Sequence, residues 1–230
     1  MWSWRVVRVA DAAFRLRITY GKTGRLRFLS HLEVAHACER AVRRTGLGYA
    51  VTQGFNPRMR IAFGPALPVG SAGVAEAYDL WLSRLVPAAE TLEMLLVAAP
   101  AGLAPVEARY VSDKEPSLTA AMTLGEYEVV VEDPGMGPGR LAEALAGVVG
   151  SGSLTIEHKG AMKVYDLAVC IPEGAQVAEE PGRATARMVV HMGPWGSLRP
   201  EALVREALGR MDARSASMTV TRVALRPMAG

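Results

Sequence analysis

The 230-residue sequence predicts an α+β protein of two tandem ferredoxin-like units, each running β-α-β-β-α-β. Three observations carry that expectation. The chain is long for one domain and comfortable for two of about 100 to 120 residues. Its first half alternates strand and helix patterns in the split βαβ order. Its second half repeats the order of elements, though not the residues. The units fall at residues 14–113 and 125–227, with Lys114 to Leu124 as the linker.

The elements follow from local patterns. Phe14-Arg15-Leu16-Arg17-Ile18-Thr19-Tyr20 alternates apolar and polar residues, the period of a half-buried strand. Gly21-Lys22-Thr23-Gly24 is turn chemistry. Ser30 stands where an N-cap belongs, with Glu33 three residues later, which makes a capping box. From His31 to Arg44, the residues Leu32, Val34, Ala35, Cys38, Ala41 and Val42 form an apolar helical stripe, and Gly46 and Gly48 stop the helix. Arg60–Phe63 and Ala77–Leu82 read as strands, Pro87–Val97 as a helix with Pro at its start, and Val106–Val111 as a fourth strand. In the second half, Tyr127–Glu132, Leu154–Glu157, Tyr165–Ile171, Ala186–His191 and Met218–Leu225 are strand-like. Gly139–Val149 and Pro200–Met211 carry helical stripes, and Gly174 to Gly182 reads as a Pro/Gly/Glu loop. Met1 to Ala13 is an additional piece without an assigned place.

Half of the residues are hydrophobic and 21% are charged, a globular composition. The net charge of +3 conceals a division. Residues 1–70 hold twelve Arg and Lys against three Asp and Glu, while the remainder is acidic. Such a basic half predicts an electrostatic footprint for phosphate or for an acidic partner. Cys38 and Cys170 are isolated, without CxxC or Cys/His spacing, so neither a zinc site nor an iron–sulfur cluster is expected from this chain. Cys38 falls in the helical stripe and is expected to be a buried thiol. No cofactor and no metal are expected. Without an apolar leader or a run of about 20 apolar residues, the protein is expected to be soluble and cytoplasmic.

The unusual stretch is Arg25-Leu26-Arg27-Phe28-Leu29-Ser30-His31-Leu32-Glu33, with Glu39-Arg40-Ala41 and Thr52-Gln53-Gly54-Phe55-Asn56-Pro57. These segments resemble the signature of the radical-SAM-linked protein family. That uncharacterised bacterial family occurs beside, or fused to, a cobalamin-binding radical SAM protein. The close resemblance covers residues 14 to about 83, and a weaker one continues through Lys159, Lys163 and Asp166. This chain departs from the pattern at Glu33, where Asp is usual, and at Arg58, where a second His or Pro is frequent. A metal or acid–base role resting on that second His does not carry over.

His31 opens the predicted helix, where an N-terminus favours bound anions. It is a candidate phosphate contact or general acid/base, or else a residue that packs the turn. Arg25, Arg27, Arg40, Arg43 and Arg58 are candidate phosphate or partner contacts, with a solvated face as the plain alternative. Gln53 and Asn56 are loop amides suited to recognition. Phe55 is expected in the core, with base stacking as the alternative. Asp79 is expected to pair with an arginine. There is no P-loop, HExxH, GxGxxG or Ser-His-Asp set.

The resemblance and the basic half together predict a non-catalytic accessory protein. It would bind an RNA, tRNA among the candidates, and present it to a radical SAM partner, with no DNA specificity and no membrane contact. The alternatives are a metal-independent endoribonuclease using His31, and a protein–protein adaptor that does not bind nucleic acid.

Overall fold

In the computed structural model, which describes residues 13–53, 55–133, 137–158, 160–193, 196–213 and 215–228, the alternation along Phe14–Lys22 becomes strand β1. The N-terminal piece expected up to Ala13 lies outside the described residues, Ala13 itself apart. Ser30 and Glu33 close the capping box that starts α1 (His31–Thr45). Gly46 ends it in the left-handed conformation, φ 72°, which glycine adopts without steric cost. Strands β2 (Ile61–Phe63) and β3 (Ala72–Leu82), helix α2 (Ala88–Ala98) and strand β4 (Pro105–Tyr110) complete the first half.

The second half contains β5 (Leu124–Glu132), α4 (Arg140–Gly150), a hairpin of β6 (Ser153–His158) and β7 (Ala161–Asp166), and the turn α5 (Leu167–Cys170). It continues with β8 (Ala175–Glu180), β9 (Arg183–Gly193), β10 (Gly196–Ser197), α6 (Pro200–Arg210) and β11 (Ser217–Arg226). The short helix α3 (Leu118–Ala121) sits inside the expected linker, started by the Ser117 side chain.

The architecture is mixed α+β: among the described residues there are six α-helices and one large, mostly antiparallel sheet of nine strands. In the first half the strands lie in the order β4-β1-β3-β2, and in the second β11-β5-β9-β8. The seam between them is parallel and short, with Thr221 opposite Ala72 and Arg222 opposite Gly73. Two cores result. Leu16, Ile18, Tyr78, Leu80 and Leu82 pack against Val34, Cys38, Val42 and Leu95. Val129, Val131, Ala186 and Val190 pack against Leu141, Leu145, Leu203 and Val204. Burying each such aliphatic side chain contributes about 1.5–3 kcal/mol. Cys38 is buried as expected, and burial pushes its thiol up to about 12, which makes it inert.

Five expectations are corrected. The segment 165–171 is not a single strand. β7 ends at Asp166, whose carboxylate accepts from the N–H groups of Ala168 and Val169 and starts a helical turn. The segment 174–182 is not a loop but β8 and its turn, paired with β9 from Ala175↔Met188 to Glu180↔Arg183. Glu179 of this strand accepts from the N–H groups of Gly139, Leu141 and Ala142 and so caps α4. Leu32 is 68% exposed, because the buried stripe of α1 runs through Val34, Ala37, Cys38, Ala41 and Val42. Phe55 lies outside the core altogether.

The fifth correction concerns β1. Alternation predicts one wet face, yet Arg15 and Arg17 are buried. Asp79 on β3 accepts from both: Arg15 Nε at 3.0 Å and Nη2 at 2.6 Å, Arg17 Nε at 2.8 Å and Nη2 at 3.1 Å. The expected arginine pairing of Asp79 is therefore observed. The chain after β4 covers this face, because Arg15 also donates to the carbonyls of Ser112, Glu115 and Pro116. Part of the positive surplus of the first half is thereby interior and absent from the surface.

Candidate nucleic-acid interface

Helix α1 organises the predicted site residues. The Ser30 N–H donates to Glu33 at 2.7 Å and the Glu33 N–H to Ser30 Oγ at 3.4 Å, which fixes where the helix begins. These bonds hold the exposed Glu33 carboxyl below its ordinary value. A depressed folded-state value means that this contribution is present above the unfolded carboxylate pKa and is lost as pH falls through the folded one. Ser30→Ala is expected to cost about 0.5–2 kcal/mol in a urea melt, the usual loss for an N-cap.

Just before the helix, a 3-10 turn at Gly24–Phe28 carries Arg25 and Arg27. The Arg27 guanidinium lies 4.8 Å from the centre of the exposed Phe28 ring, a cation–π geometry. His31 is exposed at the first turn, and its ring meets Phe63 edge-on with centroids 5.6 Å apart. His31 also lines a small pocket with Tyr20, Lys22, Phe63 and Glu76.

Toward the other end of α1, Arg40, Arg43 and Arg44 are exposed. Arg43 donates to Glu39 at 2.9 Å, and Arg44 donates to the Ala98 carbonyl at the end of α2 at 2.7 Å. Cations beside the unpaired carbonyls of a helix end are favourably placed. A groove beside Arg43 is lined by His36, Glu39, Tyr49, Pro57 and Arg58. Arg43 and Arg58 are thus brought together, and His36 lies beside them. Its spacing of seven residues before Arg43, two helical turns, was the available signal.

The 52–58 loop closes on itself. Thr52 N–H donates to the Arg58 carbonyl at 2.8 Å, Arg58 N–H donates to Thr52 Oγ1 at 3.1 Å, and Val51 bridges Met59. Buried Met59 anchors it. Gln53, Asn56 and Arg58 are exposed, and Phe55 is exposed to 104%, its whole ring in water. The His31 pocket and the Arg43–Arg58 groove share no lining residue. A helix of the length of α1 separates its ends by roughly 20 Å.

Among the described residues, no group of three His, Cys, Asp or Glu could hold a metal ion, and no helix is long and apolar enough to cross a membrane.

A family model described as "Uncharacterized protein conserved in bacteria (DUF2344)" matches residues 15–200. Curated protein sequences give no match. Among solved structures, a chain of a Cbf5-Nop10-Gar1 complex is similar at 13% identity and a TM-score of 0.48, over 91% of this chain and 48% of that one. A chain of an H/ACA RNP bound to a substrate RNA containing 2'-deoxyuridine is similar at 14% identity and a TM-score of 0.46, over 91% and 47%. An unknown protein from Galdieria sulphuraria is similar at 15% identity and a TM-score of 0.26, over 94% and 99%. This chain spans about half the length of the first two. Likeness at these scores carries no conclusion about activity.

Proposed function

The chain belongs to the bacterial family of uncharacterized proteins DUF2344, and for this member we propose a non-catalytic accessory role: binding single-stranded RNA on its basic N-terminal face for a radical SAM partner enzyme. The observation that carries the RNA reading is Phe55, fully exposed between the amides of Gln53 and Asn56 and close in sequence to Arg58. An apolar ring in water, flanked by amides and cations, has the parts of a base-stacking platform: a face for the base, groups for its edge and charge for the phosphate. Arg40, Arg43 and Arg58 would take phosphates near the loop. Arg25, Arg27 and His31 would take them at the other end of α1, so that a strand lying along the helix meets both groups. The radical SAM partner is supported by the sequence motif alone. We read the repeated strand order as two ferredoxin-like units, 14–113 and 125–227, with the first carrying the RNA face.

The test is fluorescence anisotropy of a labelled single-stranded oligoribonucleotide with the purified chain at low salt. Phe55→Ala is expected to weaken binding by about 1–3 kcal/mol, the usual worth of one stacked base. Affinity should fall steeply as salt rises, because phosphate contacts release counterions. Absence of binding, or binding indifferent to Phe55→Ala and to Arg43→Ala with Arg58→Ala, would leave the adaptor reading in its place. RNA cleavage that disappears in His31→Ala would replace it with the endoribonuclease reading.

A further inference from the structure

The groove between α1 and the 49–59 segment, about 350 Å³ in volume, is lined by groups of both signs: Arg43 and Arg58 on one hand, the Glu39 carboxylate on the other, with His36 and Tyr49 beside them. Arg43 donates to Glu39 Oε2 at 2.9 Å. Its hydrogen bonds to Glu39 and, second, to Tyr49 raise the guanidinium pKa, so two partners orient it. The Thr52–Arg58 hydrogen bonds hold the backbone of Arg58 in place opposite. Among the described residues, Glu39 Oε1 and the Arg58 guanidinium have no hydrogen-bond partner.

Two arginines alone would make a groove for phosphate. A carboxylate among them repels phosphate and can only accept, so it matches a ligand that also donates. A ribonucleotide unit carries both features, an anionic phosphodiester and a 2′-hydroxyl that is donor and acceptor at once. A deoxyribonucleotide leaves the carboxylate nothing to bind. The exposed Phe55 ring belongs to the same loop, three positions before Arg58.

We propose that Glu39 selects RNA over DNA in this groove: its carboxylate accepts from a ribose 2′-hydroxyl while Arg43 and Arg58 hold the adjoining phosphates. His36, one helical turn before Glu39 on the same face of α1, offers a donor to the oxygen of that hydroxyl. The inference rests on the single-stranded RNA reading given above and names the sugar which that site takes. Hydrogen bonds to a charged group are the strong ones, so the hydroxyl should be worth about tenfold in affinity.

The experiment competes three unlabelled strands of one length against the labelled oligoribonucleotide on the full chain: oligouridylate, oligodeoxyuridylate and 2′-O-methyl oligouridylate. The wild type is expected to prefer the ribose strand by about tenfold over each of the others, because the methyl ether keeps the oxygen and loses the proton. Glu39→Gln should weaken ribose binding and leave deoxyribose binding unchanged or tighter, since it removes both the strong acceptor and the repulsion of phosphate. A purely structural role would weaken both alike. Phe55→Ala should weaken all three strands and keep their ratio. Equal wild-type binding of the ribose and deoxyribose strands overturns the proposal and leaves the RNA reading standing. So does 2′-O-methyl binding equal to ribose binding, or a ribose preference undiminished in Glu39→Gln. If none of the strands, the labelled one included, binds, both readings fall together.

Discussion

Arg222→Ala is expected to destabilise the fold by about 3–5 kcal/mol, the usual result of removing one partner from a buried ion pair. The guanidinium is 1% exposed and sits on β11 where the two halves of the sheet meet. It donates to both Glu76 oxygens on β3, to the Pro65 carbonyl at 2.7 Å and to the Tyr127 hydroxyl of β5 at 3.4 Å. Burial alone would lower its pKa, but the Glu76 carboxylate overrides that and holds the group above its ordinary value. The backbone seam has only two paired positions, so this side chain is the main polar tie between the halves. Without it, Glu76 stays buried without its hydrogen-bonded partner, with Lys22 as the remaining cation nearby. Gly73 permits the arrangement, because a Cβ there would come within 2.5 Å of a Glu76 oxygen. Urea denaturation reads the loss. The double variant Glu76→Gln, Arg222→Met should lose less than Arg222→Ala, because neither member of the pair is left buried without the other. A loss under about 1 kcal/mol for Arg222→Ala would show that the seam does not depend on the pair.

Asp79→Ala is expected to cost about as much, 3–5 kcal/mol or more, because it strands two buried cations together. Arg15 and Arg17 each place two N–H groups on this carboxylate, which is 1% exposed. The hydrogen bond to Asp79 raises the Arg17 pKa against the opposing effect of burial. The consequence extends past β1, since Arg15 also holds the 112–116 segment through three backbone carbonyls. The variant should therefore show a lower urea midpoint and faster proteolysis within 112–116. Asp79→Asn keeps the shape, removes the charge and should show most of the loss. Unchanged proteolysis at 112–116 in a destabilised Asp79→Ala would separate the ion pair from the docking of that segment.

The local devices of this fold were legible without coordinates. The Ser30–Glu33 box, the stop at Gly46, the buried Cys38 and the alternation of β1 act within about four residues of one another, the range over which caps and periodicity operate. The candidate site was legible in composition: Arg40, Arg43, Gln53, Asn56 and Arg58 are all exposed. What no local pattern carries is which side of each element meets water. Arg15 and Arg17 alternate like a wet face and are buried, because a segment about 100 residues later covers them. Phe55 reads as core and is exposed, because its loop closes through Thr52 and Arg58 and directs its tip outward. Glu76 and Arg222 are 146 positions apart, and Arg15 and Asp79 are 64 apart. By itself the sequence determined most of the elements, the caps of α1 and the basic character of the first half. The tertiary structure alone decided which charges are paired inside and which remain at the surface, because strand register sets which buried charges meet, and a charge out of water is tolerable only beside its partner.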